Sequence, residues 1–326
     1  MSLRALHGQA TAASVLRGIL RSGRVAHAYL FTGADGAGKS AFAREFSKAL
    51  NCAESHVLSD ACDSCGSCLR ASRGNHPDIL EIGPDPHLRM EQVKAAIKHV
   101  GYKPLEGRFK VVLLLHAEAM TDQAANCLLK SLEEPPDFSV FVLTAPSAGS
   151  VPPTVASRCQ PIPFNACTLE DVLAYTRERH AGHPMCEAAA FWSGGIPGRA
   201  DLFFERDYLG ARNKALVVVE RISELDIMGF AEGLGKEETS PFLDCLVSLL
   251  RDLVVIAARG REGLFGNPDI RDRLEAASAS WSLRAALVAL EETLRTRTVI
   301  SLNANRRLAV EVLLLKLRAL AGDGYN

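Results

Sequence analysis

Three things are scarce in this chain: excess charge of one sign, long hydrophobic runs, and any segment that reads as an export signal. Lysine and arginine number 37 against 38 aspartates and glutamates, a formal net charge of −1. A balanced chain is a poor stand-alone nucleic-acid binder, because such proteins depend on a broad positive face. Any work on DNA is therefore expected to be local or shared with partners. Although 48% of the residues are hydrophobic, no apolar stretch is long enough to span a bilayer, which points away from a membrane. Without an export signal, a cytoplasmic setting is expected and disulfides are not. With 326 residues, roughly two or three domains are expected.

What is present is concentrated in the first quarter of the chain. Gly33-Ala34-Asp35-Gly36-Ala37-Gly38-Lys39-Ser40 matches GxxxxGK[ST]. The apolar run 28–32 before it reads as a buried strand, and Phe42, Phe46 and Ala49 after it recur at helical spacing. That strand–loop–helix context is what the pattern requires before it counts as a nucleotide site. Backbone amides around Gly33, Gly36 and Gly38 would hold phosphate oxygens, with Lys39 on the outer phosphates and Ser40 on Mg²⁺. A glycine-rich turn that matches by chance is the competing reading.

Cys52, Cys62, Cys65 and Cys68 follow at once. Two residues separate each of the last three, so a tight turn can aim several thiolates at one ion, and Cys52 can complete a tetrahedron. Structural Zn²⁺ wants four such soft ligands and no open position. Asp60, Asp63, Gly66 and Ser67 supply turn chemistry, and the module is too small to bury a core, so metal would hold it. Disulfides, a redox CxxC and unconnected thiols compete with this reading. The other five cysteines are scattered.

Short apolar runs at 29–31, 79–82, 111–115 and 140–144 alternate with helical segments up to about residue 164. This predicts a parallel sheet with helices on both faces. Residues 145–153 read as a loop at the carboxyl edge of the sheet, where ligands bind in such folds. A small helical unit is expected over about 168–204, broken at 193–198. Beyond 207 helical periodicity dominates, which predicts an all-α C-terminal domain.

The segments His27-Ala28-Tyr29-Leu30-Phe31-Thr32-Gly33, Ala49-Leu50-Asn51-Cys52 and His76-Pro77-Asp78 resemble the bacterial clamp-loader ATPases. So do Asn126-Cys127-Leu128-Leu129-Lys130-Ser131-Leu132-Glu133-Glu134-Pro135-Pro136 and Ser157-Arg158-Cys159. These motifs span most of the first 160 residues. Within that group the chain resembles the delta-prime branch. The resemblance implies an α/β AAA+ module with an inserted zinc module (1–165, zinc at about 51–75), a helical lid (166–206) and a helical collar (207–326). It implies a five-membered ring with gamma/tau and delta subunits, acting on a sliding clamp and primed DNA in replication.

The chain departs from hydrolysing members of the group after the run 111–115. Those members carry adjacent Asp and Glu, one for the metal shell and one to activate water. Aligning on Asn126 puts Leu115 and His116 there, with Glu118 the nearest carboxylate. The resemblance thus implies little or no ATP hydrolysis, with ATP/Mg²⁺ bound weakly or not turned over. His116 reads as a hydrogen-bonded strand-end residue or a catalytic one. Arg158 is expected to act in trans as an arginine finger on a neighbour's nucleotide, the alternative being a surface or ion-paired arginine. His7-Gly8-Gln9 resembles a segment that lies against adenine in the family, an ordinary helix-entry turn being the other reading. Thr144 either senses a terminal phosphate or caps its loop. Gly198 holds the place of a second sensor arginine, and Arg199 beside it receives no role. A divergent gamma/tau-type motor and a scaffold unable to bind nucleotide are the other readings.

Overall fold

The computed structural model describes residues 3, 8–54, 59–183, 185–205, 208–260, 265–301 and 304–322. The chain forms two compact units, Met1–Arg179 with Gly194–Gly198, and His180–Ser193 with Arg199–Asn326.

The first unit is built on five parallel strands: β1 (Ala28–Thr32), β2 (Ile79–Ile82), β3 (Lys110–Leu114), β4 (Ser139–Ala145) and β5 (Gln160–Pro163). Their order across the sheet is β2-β3-β4-β1-β5. Helices cover both faces, which is why the central strands are apolar throughout and do not alternate. On one face Tyr29, Phe31, Val111 and Val142 pack with Phe42 and Phe46 of α2 (Lys39–Leu50) and Leu16 of α1 (Ala10–Ser22). On the other, Leu30, Val112, Phe141 and Leu143 meet α4 (Met90–Val100) and α5 (Asp122–Glu133) through Val93 and Leu128. Between these helices, α3 (Gly66–Ser72) follows the cysteine turn. A short α6 (Pro153–Ala156) and then α7 (Leu169–Arg179) flank β5.

Four of the five strands coincide with the predicted runs. The fifth was not predicted, because Gln160-Pro161-Ile162-Pro163 carries two prolines. The fold resolves the conflict by register. Phe164 donates its N–H to the Thr32 carbonyl at 2.7 Å, so residues 162 and 160 also turn their amides toward β1. Pro161 and Pro163 fall on the outward-facing positions of an edge strand, where a missing N–H costs no ladder bond. The segment 145–153, expected as loop, contains a 3₁₀ turn (Ala148–Ser150) and leads into α6.

His76-Pro77-Asp78 and Asn51 turn out to be architectural. Asp78, fully buried, accepts N–H bonds from Leu105, Glu106 and Gly107 at 2.7–2.8 Å and pairs with Lys110 at 2.7 Å. Asn51 Oδ1 accepts from the amides of Arg108 and Phe109, both at 2.9 Å. Together these side chains fix the approach to β3.

The second unit contains α8 (Cys186–Trp192), the residues of α9 (Pro197–Glu205) from Arg199 onward, α10 (Tyr208–Arg221), α11 (Ile227–Gly233), α12 (Lys236–Ala257), α13 (Arg271–Ser278), α14 (Leu283–Ser301) and α15 (Arg306–Gly322). No strand occurs among its described residues. The core gathers on α12, with Leu246, Leu249, Leu250 and Leu253 buried, and takes in Val218, Leu313 and Leu317. Along α15 a second stripe, Leu308, Val312 and Leu315, is 57%, 43% and 46% exposed. Its i, i+4, i+7 spacing puts these residues on one helical face.

Candidate functional site

The glycine loop leaves β1 and enters α2 through three glycines with positive φ: Gly33 (152°), Gly36 (84°) and Gly38 (98°). At Gly33 a Cβ would stand 2.3 Å from the Phe164 carbonyl, so only glycine fits. Lys39 is buried, and its ammonium donates to the carbonyls of Gly33 (2.6 Å) and Ala34 (3.0 Å) and to the exposed Asp35 carboxylate (3.2 Å). Gln9 ties the loop from behind, donating to the carbonyls of Ala37 (3.3 Å) and Asn165 (2.7 Å). His7, grouped with Gln9 in the sequence reading, lies outside the described residues.

The loop forms one wall of a cavity of about 740 Å³, which Lys39, Ser40, His116 and Thr144 all line. β4 lies between β3 and β1, so the carboxyl ends of three neighbouring strands deliver His116, Thr144 and the loop to one place. His116 follows β3 with φ 56° and ψ 57°, an uncommon left-handed conformation for a residue with a side chain. Its N–H donates to Thr144 Oγ1 at 3.0 Å, and its Nδ1 lies 3.1 Å from Glu118 Oε1.

Three cavity residues escaped the sequence reading: Tyr175, Glu178 and Arg179 on α7. Nothing local marks them, since only the folding of α7 over the sheet edge brings them there. Gly198 also lines the cavity. Its N–H donates to the Gly36 carbonyl at 2.9 Å, and a Cβ there would fall 2.7 Å from Gly36 Cα. At this position backbone is pressed on backbone, with no room for a side chain. Arg199 belongs to the second unit, where its charge acts on Asp244.

The sulfurs of Cys52, Cys62, Cys65 and Cys68 all lie within 4.8 Å of one another. Amides point at them: Cys62 N–H toward Cys52 Sγ (3.3 Å), Cys65 N–H toward Cys62 Sγ (3.3 Å) and Cys68 N–H toward Cys65 Sγ (3.4 Å). Such donors stabilise thiolates. The Ser64 hydroxyl and nearby amides hold the Cys62 thiol down at about 6, whereas burial raises Cys52 and Cys68. A tetrahedral zinc with bonds of about 2.3 Å sets its sulfurs roughly 3.8 Å apart. The Cys62–Cys68 separation is 3.9 Å, so the donor set fits. None of these cysteines is in a disulfide. Lys48 braces the turn from α2, bonding Asp63 Oδ1 at 2.5 Å and pairing with Glu45.

Arg158 sits just beyond α6, at the end of the turn that leads into β5. Its guanidinium donates to the Thr154 carbonyl (2.7 Å) and to Glu133 Oε1 (2.5 Å). Glu133 closes α5 immediately before Glu134-Pro135-Pro136, where proline disfavours further helix.

A family described as DNA polymerase III, delta subunit, matches residues 8–168. The tau/gamma subunit of DNA polymerase III from Haemophilus influenzae is 38% identical over 152 residues, which is 47% of this chain and 22% of that one. The tau subunit from Escherichia coli is 34% identical over 165 residues, 51% of this chain and 26% of its own. The chain thus spans about a quarter of the length of these two relatives. The delta' subunit from Bacillus subtilis is 29% identical over 244 residues, covering 72% of this chain and 73% of that protein. A solved gamma subunit-related protein of DNA polymerase III from Thermotoga maritima superposes with a TM-score of 0.48 at 16% identity, over 94% of this chain and 99% of that one. The family match covers the phosphate loop, the cysteine turn and Arg158 together, and the relatives from Haemophilus influenzae, Escherichia coli and Bacillus subtilis are DNA polymerase III subunits too: the chain belongs to the clamp-loader family of AAA+ proteins.

Proposed function

We propose that the chain is a delta-prime-type clamp-loader subunit of a bacterial DNA polymerase III. In this reading it helps load the sliding clamp on primed DNA and turns over little or no ATP itself. It also lends Arg158 to the nucleotide of a neighbouring subunit. One observation carries the reading: an intact phosphate loop faces a strand end that holds Leu115 and His116 where hydrolysis needs two carboxylates. Without the first carboxylate, Mg²⁺ lacks an anchor beside Ser40. Without the second, the attacking water lacks a general base. Gly33, Gly36, Gly38, Lys39, Ser40 and Thr144 would still bind nucleotide.

Arg158 suits a role in trans because its partners are cheap to exchange. The Arg158–Glu133 pair is 34% and 49% exposed, and exposed ion pairs contribute up to about 1 kcal/mol. A phosphoryl group offers the guanidinium more charge and a bidentate geometry. The four thiolates would hold one structural Zn²⁺ and so join the end of α2 to α3. The three-part layout, AAA+ module to 165, lid to 206 and collar from 207, would give a ring with gamma/tau and delta in the cytoplasm. The exposed stripe on α15 supports a collar that packs against other subunits.

A divergent gamma/tau-type motor is the second reading, favoured by the identity to tau and tau/gamma proteins. Turnover separates the two. The purified chain is expected to show negligible ATPase and to co-purify with gamma/tau and delta as a five-subunit ring. Robust turnover that Lys39→Ala abolishes would establish the motor.

A further inference from the structure

Lys39 meets the cavity with every hydrogen of its ammonium already given away. A lysine carries three N–H donors and no acceptor. Here they go to the Gly33 carbonyl at 2.6 Å, the Ala34 carbonyl at 3.0 Å and Asp35 Oδ1 at 3.2 Å. A phosphate oxygen can therefore bind Lys39 only by displacing an acceptor that the loop itself supplies.

The three acceptors are not equally easy to displace. Both carbonyls belong to a main chain fixed at several points. Gly33 donates its N–H to the Ala145 carbonyl at 3.2 Å and is pressed on the Phe164 carbonyl. The Ala34 carbonyl also accepts from the Ala37 N–H at 3.1 Å. Further along, the Gly36 and Ala37 carbonyls are held by the Gly198 N–H and the Gln9 side chain. Asp35 differs in kind. Its side chain is 71% exposed, against 6% for Lys39, and can swing into solvent without moving the main chain. Alone of the three acceptors it carries a formal charge, and it lines the same cavity. Its carboxylate offers the ammonium the type of charge-assisted contact that a phosphoryl oxygen would make.

Resting on the reading of this cavity as a nucleotide site, we propose that Asp35 is its specificity-determining residue toward phosphate, an anion built into the loop that holds Lys39 until an incoming phosphate displaces it. Two effects follow from the one side chain. The ligand must break the Asp35–Lys39 contact, and the released carboxylate then stands near the phosphates as a like charge. A ligand with a single weakly anionic group gains too little from Lys39 to make the exchange. A polyphosphate makes it by engaging the loop amides as well, with an affinity below that of an unopposed loop.

The test is equilibrium binding of ATP and of inorganic tripolyphosphate to the full chain, in Mg²⁺ and in EDTA. Asp35→Asn keeps the side chain's shape and removes its charge, and Asp35→Ala removes the acceptor too. Both ligands should bind Asp35→Asn about fivefold more tightly than the parent, the upper value for a solvent-exposed ion pair, and Asp35→Ala at least as tightly. An equal gain for tripolyphosphate, which has no base, locates the effect at the phosphates. Glu178→Gln removes the same charge from another wall of the cavity, measures the general field, and should gain distinctly less. A gain in Asp35→Asn no larger than that in Glu178→Gln, or one seen with ATP alone, would overturn the proposal. So would weaker binding confined to Mg²⁺, which would make Asp35 a ligand of the metal. These outcomes leave the nucleotide reading intact. Absence of binding to the parent and to every variant would overturn both.

Discussion

At the scale of single residues, Arg158 and Gly198 show two ways in which context gives a side chain, or its absence, a meaning. Arg158 is poised rather than committed, held by a helix-end carboxylate and a carbonyl that solvent already reaches. If it completes another subunit's site, Arg158→Ala should assemble normally and damage chemistry carried out by a different chain. Arginine fingers contribute on the order of a thousandfold or more at the affected site, diluted in a whole ring by sites with their own arginines. Comparing clamp- and DNA-stimulated ATPase and loading rate in wild-type and mutant rings decides it. Equal rates with assembly verified would make Arg158 a surface residue. Gly198 could be flagged in the sequence as an odd occupant of a sensor position. That its amide would clasp Gly36, 162 positions earlier, could not be read there, because the contact exists only after α7 and the 194–198 segment fold back onto the loop.

At the scale of elements, legibility follows how local the determining physics is. The phosphate loop was readable because three φ-positive glycines, a lysine and a strand on one side must occur in fixed order. The cysteine cluster was readable because a turn of a few residues sets the ligand geometry. β5 was not, since its prolines are acceptable only at outward-facing positions of an edge strand, and a linear sequence does not show which positions face outward. The cysteine turn makes the clearest prediction at this scale. The purified chain should contain about one zinc per molecule, measured by elemental analysis on protein kept from chelator and oxidant. Cys65→Ala should lose the metal and raise amide exchange across 52–75, with the sheet's exchange unchanged. A chain without zinc whose cysteine turn is nonetheless protected would contradict a metal-held module. Lys48 should matter in the same region: Lys48→Met removes the ion-pair partner of Glu45 and one partner of the 39% exposed Asp63, and should cost roughly 1–2 kcal/mol in chemical unfolding.

At the scale of the whole molecule, the second unit exposes what a stable monomer would hide. Leu308, Val312 and Leu315 form a solvent-facing row on α15, while Leu313 and Leu317 of the same helix are buried. Leu308→Asp with Val312→Asp should leave the monomer folded by circular dichroism and weaken its assembly with gamma/tau and delta. Burying each such side chain is worth about 1.5–3 kcal/mol, so the pair should cost a hundredfold or more in association, roughly, by sedimentation. A doubly substituted chain that joins the ring with undiminished affinity would move the assembly surface elsewhere. The two margins of the β-sheet bear on the same question from the opposite side. β2 and β5 are each four residues long, and β5 presents Pro161 and Pro163 outward. A strand from another chain would find no amide at those two positions to pair with. The fold thereby closes the β5 edge of its sheet to cross-β growth, the route by which a crowded, multi-subunit assembly could turn into an aggregate.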